Sequence, residues 1–519
     1  MPNRILRVAL TGLAAGVFAA ANAEVVVPAY QSDSQWFTDG QSSIQGKSSM
    51  VREDATAKNV ILFVGDGMGI STLTAARILE GQLAGNDGEE NYLSFESFPY
   101  SALIKTYNTN QQTPDSAGTM TAMMSGMKNK AGMINISSDG VRADCSSTAG
   151  NELNTFLDLM EDAGRSTGVV STARVTHATP AATYARVPER NWESDDSLTD
   201  EARQNGCKDI ADQLVSYDIG DGLDVVLGGG RRHFLPEADG GKRQDDRDLI
   251  QLWRDRYQDS DQAALYVETG SELARADLAG TDKLMGLFTA SHMSYDQDRQ
   301  ARGADEPTVA DMTDAAIDVL SRNQDGYFLM VESGRIDHAH HAGNAYNALH
   351  DTLAFADAVQ AAVDKVDLDE TLILVTADHS HVFTIAGYPT RGNPILGKVV
   401  ANDGSGAAEA GPTGDADGMP YTTLGYTNGP GYADLGAETD ADVRYDSQPD
   451  AGRKDLGAVD TEASGYHQET LVPLGSETHS GEDISLHAAG AGAHIVQGNV
   501  EQNTLFHIMS TATSVAPAE

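Results

Sequence analysis

Five short apolar runs punctuate the chain: "NVILFV" (59–64), "TGVVST" (167–172), "DVVLG" (224–228), "YFLMV" (327–331) and "TLILVT" (371–376). None alternates strictly between apolar and polar positions. A strand without alternation is covered on both faces, as in a parallel or mixed sheet. Between the runs the period changes. "NELNTFLDLMEDAG" (151–164), "TVADMTDAAIDVLSRN" (308–323) and "NALHDTLAFADAVQAAVDKV" (347–366) repeat apolar residues at helical spacing. Strands alternating with helices predict a doubly wound α/β fold, a central and mostly parallel sheet flanked by helices on both faces. The pattern lapses over residues 390–477. Segments such as "ANDGSGAAEAGPTGDADG" are rich in Gly, Ala and Asp and read as either a loop-rich insertion or a disordered linker. Tyr421, Tyr426 and Tyr432 favour partial order.

The first 23 residues follow a different logic. Arg4 and Arg7 precede an apolar run from Val8 to about Ala21, and Ala21-Asn22-Ala23 is a small-x-small cleavage site. The run is shorter than the roughly 20 residues that span a bilayer. Residues 1–23 are therefore expected to be a signal peptide, residues 24–519 the mature protein, and the destination periplasmic or secreted. No later segment reads as a membrane span, so no membrane anchor is expected. Export makes a disulfide between the two cysteines, Cys145 and Cys207, the favoured state over two buried thiols.

Composition narrows the partners. With 77 acidic and 35 basic side chains the formal net charge is −42. A surface of that sign repels a phosphate backbone, which excludes nucleic acid. It also repels itself, and salt relieves that repulsion, so a salt-rich, halophilic setting is expected.

Candidate chemistry sits where the apolar runs end. "NVILFV" leads into Gly65-Asp66-Gly67-Met68-Gly69, "TLILVT" into Asp378-His379-Ser380-His381, and "YFLMV" into Glu332, Asp337 and three histidines. Ligands of open α/β sheets bind at the carboxyl ends of strands. Asp and His in similar numbers without thiolates suit zinc, and carboxylate oxygens with few histidines suit magnesium. So many candidate ligands point to a cluster of metals, the usual clamp for displacement at phosphorus. Ser116, in "TPDSAG", reads either as an ordinary helix N-cap or as a nucleophile at an anion-attracting helix start.

GDGMG, TPDSAG, "TARVTHATPAATYARV", "VESGRIDHAHH", TADHSH and "ETHSGED" occur in one order along the chain. In these segments it resembles the alkaline phosphatases, and more the animal and marine bacterial branch than the enteric one, since His177 and His338 stand where the enteric enzyme has Asp and Lys. The resemblance implies an exported phosphomonoesterase working at alkaline pH through a phosphoserine, with two zinc ions and one magnesium per subunit. It assigns Asp337, His341 and His479 to one zinc. Asp66, Asp378 and His379 go to the second, and Asp66, Thr179 and Glu332 to magnesium. It makes Ser116 the nucleophile, and Arg190 the phosphate clamp oriented by Asp115. His177 and His338 become outer residues, near magnesium and near the phosphate respectively, and His340 is left with a structural role. It further implies a Cys145–Cys207 bridge, a homodimer, and residues 390–477 as the insertion called the crown in animal enzymes. Animal members also carry a calcium site with an acid after the Phe of "LMGLF"; Thr289 follows Phe288 here, so that ligand is missing.

Two other readings compete. A phosphodiesterase or sulfatase of the same superfamily would share the metals, but a sulfatase carries a modifiable residue in a different motif. A non-catalytic, acidic, cation-binding exported protein would explain the charge. It predicts diffuse acids and not Asp and His gathered at strand ends.

Overall fold

In a computed structural model of the chain the five apolar runs become five neighbouring strands. The structure describes residues 34–35, 38–39, 41–42, 55–445 and 447–515. The expected signal peptide lies outside the described residues. In chain order the strands are β1 (Asn59–Gly65), β2 (Tyr100–Lys105), β3 (Ser166–Arg174), β4 (Val225–Gly229), β5 (Ala264–Val267), β6 (Lys283–Leu287), β7 (Tyr327–Ser333) and β8 (Thr371–Ala377). They continue as β9 (Ser380–His381), β10 (Phe383–Ile385), β11 (Leu424–Gly429), β12 (Ala433–Asp434), β13 (Tyr466–His467), β14 (Thr470–Pro473), β15 (His479–Ser480), β16 (Ile484–Gly490) and β17 (Gly498–Glu501).

Ten of them form one sheet in the order β17-β2-β16-β8-β1-β7-β3-β4-β6-β5. Only β16 runs against its neighbours. The stretch β8-β1-β7-β3-β4 is the set of five apolar runs, and its interior positions are buried on both faces, as the missing alternation requires. β2 instead alternates exposed and buried residues near one edge, which is why it lacks a continuous apolar signature.

Helices pack in two groups. α1 (Ile70–Leu83) and α5 (Val309–Leu320) both pack on α7 (Ala345–Lys365), while α3 (Phe156–Asp162), α4 (Ala178–Tyr184) and α8 (Thr504–Thr513) pack on α2 (Ser116–Ser125). The helix expected over 151–164 begins only at Phe156. Thr155 caps it, with Asp158 reaching back to the Thr155 N–H, and this capping box outcompetes further helix upstream. α5 is capped by Thr308 and α7 by Asn344. No described helix is long and apolar enough to cross a membrane.

The described part of 390–477 is a set of short strands joined by turns. Within it β11 and β14 join β10 in a three-stranded sheet, and β12 pairs with β13. Isolated bridges such as Lys398 with Thr422 and Gly414 with Pro420 tie the rest. Cys145 and Cys207 form a disulfide, beside Trp192, Leu198 and Ala202.

Register places the site. Gly65, the last residue of β1, pairs with Ser333 at the end of β7 and with Ala377 at the end of β8. Three chemistry-bearing loops therefore leave adjacent strands at one level. At the opposite end of the sheet, buried Lys283 donates to Asp224 and Asp221, both at 2.9 Å. Glu161 lies beside them and accepts from Thr167 Oγ1. Burial first, and the Asp224 charge second, push its carboxyl up to about 8 from an ordinary 4.5.

A raised carboxyl holds a proton in the folded chain that the unfolded chain has already released, so stability falls as pH rises from 4.5 to about 8. Glu161→Gln is expected to raise Tm by a few °C at about pH 9 and to change it little at about pH 4. Thermal unfolding at both pH values checks this; an equal shift at both contradicts it.

Candidate active site

The loop after β1 is built for close approach. Gly67 has a φ of +69°, and a Cβ there would stand 2.4 Å from His381 Cδ2. At Gly69 a Cβ would meet Ser380 Oγ at 1.9 Å. The GDGMG run thus lets the β1 loop pack directly on the loop after β8, with Asp66 turned between them. Asp378 holds the junction: its Oδ1 accepts from Gly67 N at 3.0 Å and from His379 N at 2.8 Å, and its Oδ2 accepts from Thr119 Oγ1 at 3.2 Å.

Ser116 is the first residue of α2, but it does not cap the helix. Asp115 does, accepting from Gly118 N at 3.1 Å. The Ser116 hydroxyl is left to face inward, 3.2 Å from His379 Nε2. Asp115 also accepts from Asn108 Nδ2 at 2.9 Å, Gly132 N at 2.9 Å and Arg190 Nη1 at 3.1 Å. Burial opposes its charge, but Arg190 and these donors hold its carboxyl below the usual range. The Arg190 fork is fixed from one side by Asp115 and lies 3.4 Å from His177 Nε2 on the other.

Two clusters of ligand-type atoms flank Ser116. In the first, Asp337 and His341 share a face of helix α6 (Arg335–His341), and His479 arrives on β15. Asp337 Oδ1 lies 3.3 Å from His341 Nε2 and 3.4 Å from His479 Nε2, and the two nitrogens are 3.1 Å apart. Each ring donates through Nδ1 to a backbone carbonyl, His341 to Glu477 O at 2.6 Å and His479 to Pro114 O at 2.8 Å. A carbonyl only accepts, so in the neutral ring Nε2 carries the lone pair. Two lone pairs and a carboxylate oxygen meet with no proton between the nitrogens. A cation satisfies that arrangement, and the carbonyl-bound imidazole is the ordinary posture of a metal ligand.

The second cluster gathers Asp66, Asp378 and His379, whose ligand atoms lie within 4.8 Å of one another. His379 Nε2 is 3.4 Å from both Asp66 Oδ1 and Asp378 Oδ2. Asp66 Oδ2 faces Thr179 Oγ1 at 3.4 Å, and Asp66 also groups with His177 and Glu332. Glu332 accepts from Ser171 Oγ through Oε2. Asp66 Oδ1, Glu332 Oε1, His177 Nδ1 and His379 Nδ1 are buried without a protein partner. Burial and then the neighbouring carboxylates push Asp66 well up, and burial chiefly pushes Glu332 up to about 8. Burial, then Arg190, pushes His177 down to about 3. Orphaned oxygens and crowded like charges fit divalent cations, the oxygen-rich Asp66–Thr179–Glu332 corner suiting a hard ion.

His338 lies outside both clusters, its ring 5.6 Å from that of His177. His340 bonds Thr72 Oγ1 at 3.0 Å and Tyr426 OH at 2.8 Å, which ties α1 to β11. Sequence reasoning gave no role to His381 or Glu477. His381 Nε2 donates to Asp337 Oδ1 at 2.8 Å and its Nδ1 to Glu477 Oε2 at 2.5 Å. Burial opposes its charge, yet these carboxylates outweigh burial and push it up to about 10. The clue was present: His381 and Glu477 each stand two residues from a candidate ligand, and β9 pairs with β15 through His381 and His479. His292 packs 4.1 Å from His338 and carried no signal in the sequence.

The alkaline phosphatase family's sequence profile matches residues 57–515. The tissue-nonspecific alkaline phosphatase of Felis catus is 40% identical over 503 residues, covering 94% of this chain and 90% of that protein. That of Gallus gallus is 43% identical over 472 residues, covering 89% and 85%. Among solved structures, Thermus thermophilus alkaline phosphatase superposes with a TM-score of 0.63 at 24% identity, covering 95% of this chain and 96% of that one. The enzyme from the Antarctic bacterium TAB5 gives 0.58 at 22% identity, covering 89% and 100%; both share the fold. Relatives spanning nearly the whole chain, and buried carboxylates and imidazoles arranged for divalent metals, make this a metal-dependent phosphomonoesterase: the chain belongs to the alkaline phosphatase family.

Proposed function

We propose that Ser116 is the nucleophile and that the reaction passes through a phosphoserine. The observation that carries this is the Ser116 hydroxyl, released from capping by Asp115 and set 3.2 Å from His379 Nε2 beside the orphaned Asp66 Oδ1. The Arg190 fork, held by Asp115, donates to two non-bridging phosphoryl oxygens, a task for a planar bidentate group. Backbone N–H groups at the start of α2 add to the local positive field. Ser116 Oγ gives up its proton and bonds to phosphorus in line, while the substrate's alcohol oxygen leaves with the bonding pair and takes a proton. A water oxygen then displaces Ser116 Oγ from phosphorus and restores the hydroxyl. Two inversions give net retention.

The resident cations are proposed as two zinc ions and one magnesium. Asp337, His341 and His479 would hold one zinc, Asp66, Asp378 and His379 the other, and Asp66, Thr179 and Glu332 the magnesium. Bound there, they supply Lewis-acid charge for the entering and leaving oxygens. His177 stands near the magnesium ligands and against Arg190, and His338 stands near the phosphate.

Further parts of the reading rest on the sequence. Residues 1–23 direct export to the periplasm or beyond, 24–519 are the catalytic domain, and 390–477 are its crown-like insertion. The protein works as a homodimer, on small phosphomonoesters at alkaline pH, in a salt-rich setting. Half-buried Arg190 and the proposed cations act on substrate at contact distance, and the remote acids act across salt.

Ser116→Ala should lower kcat on p-nitrophenyl phosphate by at least about 10³-fold and leave the bound zinc and magnesium, measured by elemental analysis, unchanged. Turnover surviving the change would remove Ser116 from the mechanism. Raising NaCl from about 0.1 M to about 1 M shrinks the Debye length from about 10 Å to about 3 Å. Tm and kcat/KM are expected to climb across that range; maximal values in dilute buffer contradict the salt-rich setting.

A further inference from the structure

The guanidinium of Arg335, at the start of α6, is buried against the site and takes no part in the mechanism above. Its Nη1 donates to His338 Nδ1 at 3.0 Å. A guanidinium carries only N–H donors. His338 Nδ1 must therefore present its lone pair, and the neutral ring carries its proton on Nε2. The other tautomer would set two N–H groups face to face. Nε2 has no protein partner among the described residues. The ring stands 5.6 Å from that of His177, whose Nε2 is 3.4 Å from the Arg190 fork.

Asp442, from 390–477, and Tyr295 hold Arg335 in that pose. Its Nη2 donates to Asp442 Oδ2 at 2.8 Å. The guanidinium carbon sits 3.7 Å from the centre of the Tyr295 ring, and Tyr295 OH donates to Asp442 Oδ1 at 2.9 Å. Tyr445 OH donates to the His338 carbonyl at 2.8 Å. Asp442 thus acts on the ring through Arg335, and Tyr445 acts on the main chain. Asp442 is partly exposed while Arg335 is buried, so the contact is a buried cation anchored by a carboxylate at the surface.

We propose that Asp442 and Arg335 are positioning residues that lock His338 in the Nε2–H tautomer, so that it donates a neutral N–H to a phosphoryl oxygen beside Arg190. The insertion then forms part of phosphate recognition. This rests on the reading of Ser116 and Arg190 given above.

The test uses the metal-loaded enzyme, ¹⁵N-labelled at histidine, with inorganic phosphate as the probe. In the unmodified protein His338 should show an unprotonated Nδ1 and a protonated Nε2, and phosphate should shift the Nε2 signal. Asp442→Ala should mix the tautomers and raise Ki for phosphate about tenfold, the scale of one hydrogen bond to a charged group, with bound metal unchanged. Asp442→Asn keeps an acceptor oxygen for Arg335 and should restore most of the affinity. A protonated Nδ1 in the unmodified protein overturns the proposal, and so does a Ki within about twofold in Asp442→Ala. If Asp442→Ala does not fold, the tautomer in the unmodified protein decides alone. Either failure leaves the loss of turnover in Ser116→Ala untouched, so the proposal and the nucleophile fail separately.

Discussion

Two imidazole nitrogens meet 3.1 Å apart with no proton between them. His341 and His479 each spend their single N–H on a backbone carbonyl, so both present lone pairs to Asp337 and to each other. A few ångströms away Asp66, Asp378 and Glu332 crowd their carboxylates in a site that water does not reach. Burying like charges and opposed lone pairs costs free energy that packing does not repay. Divalent cations cancel it. The family's metal dependence therefore follows from the way these groups are buried as well as from their identity.

The sheet makes that crowding feasible. β8, β1 and β7 lie side by side with their last residues in register. Their following loops must share one volume, and the glycines at 67 and 69 let the loops touch. His479 comes from far along the chain, but the short β9–β15 ladder delivers it beside His381. His381, held between Asp337 and Glu477, aligns a carboxylate that would otherwise be free to rotate. Substrate chemistry is thus assembled on rigid strand ends, where small errors of position are least.

The central strands were legible because each is an unbroken apolar run, and burial on both faces demands that. The flanking strands were not. β2 alternates, and β6 is five residues long with a glycine inside. The helix after residue 150 was placed too early because apolar spacing does not reveal the Thr155 cap. Residues at the ends of β1, β7 and β8 could be named as candidates from their chemistry, and the resemblance to the alkaline phosphatases sorted them into sets. Glu477, Asp442 and Tyr445 could not be placed, because their roles exist only through pairing across long sequence gaps, 107 residues from Arg335 to Asp442. The stretch 390–477 looked like filler by composition. In the folded chain it reaches the ring of His338 through Arg335 and its main chain through Tyr445.

The account depends on cations between those opposed nitrogens. Anomalous diffraction at the zinc absorption edge, from crystals grown without chelator, measures this directly. It should show one peak among Asp337, His341 and His479 and a second among Asp66, Asp378 and His379, about 4 Å away. Clear density for the side chains with no anomalous peak at either place would contradict it.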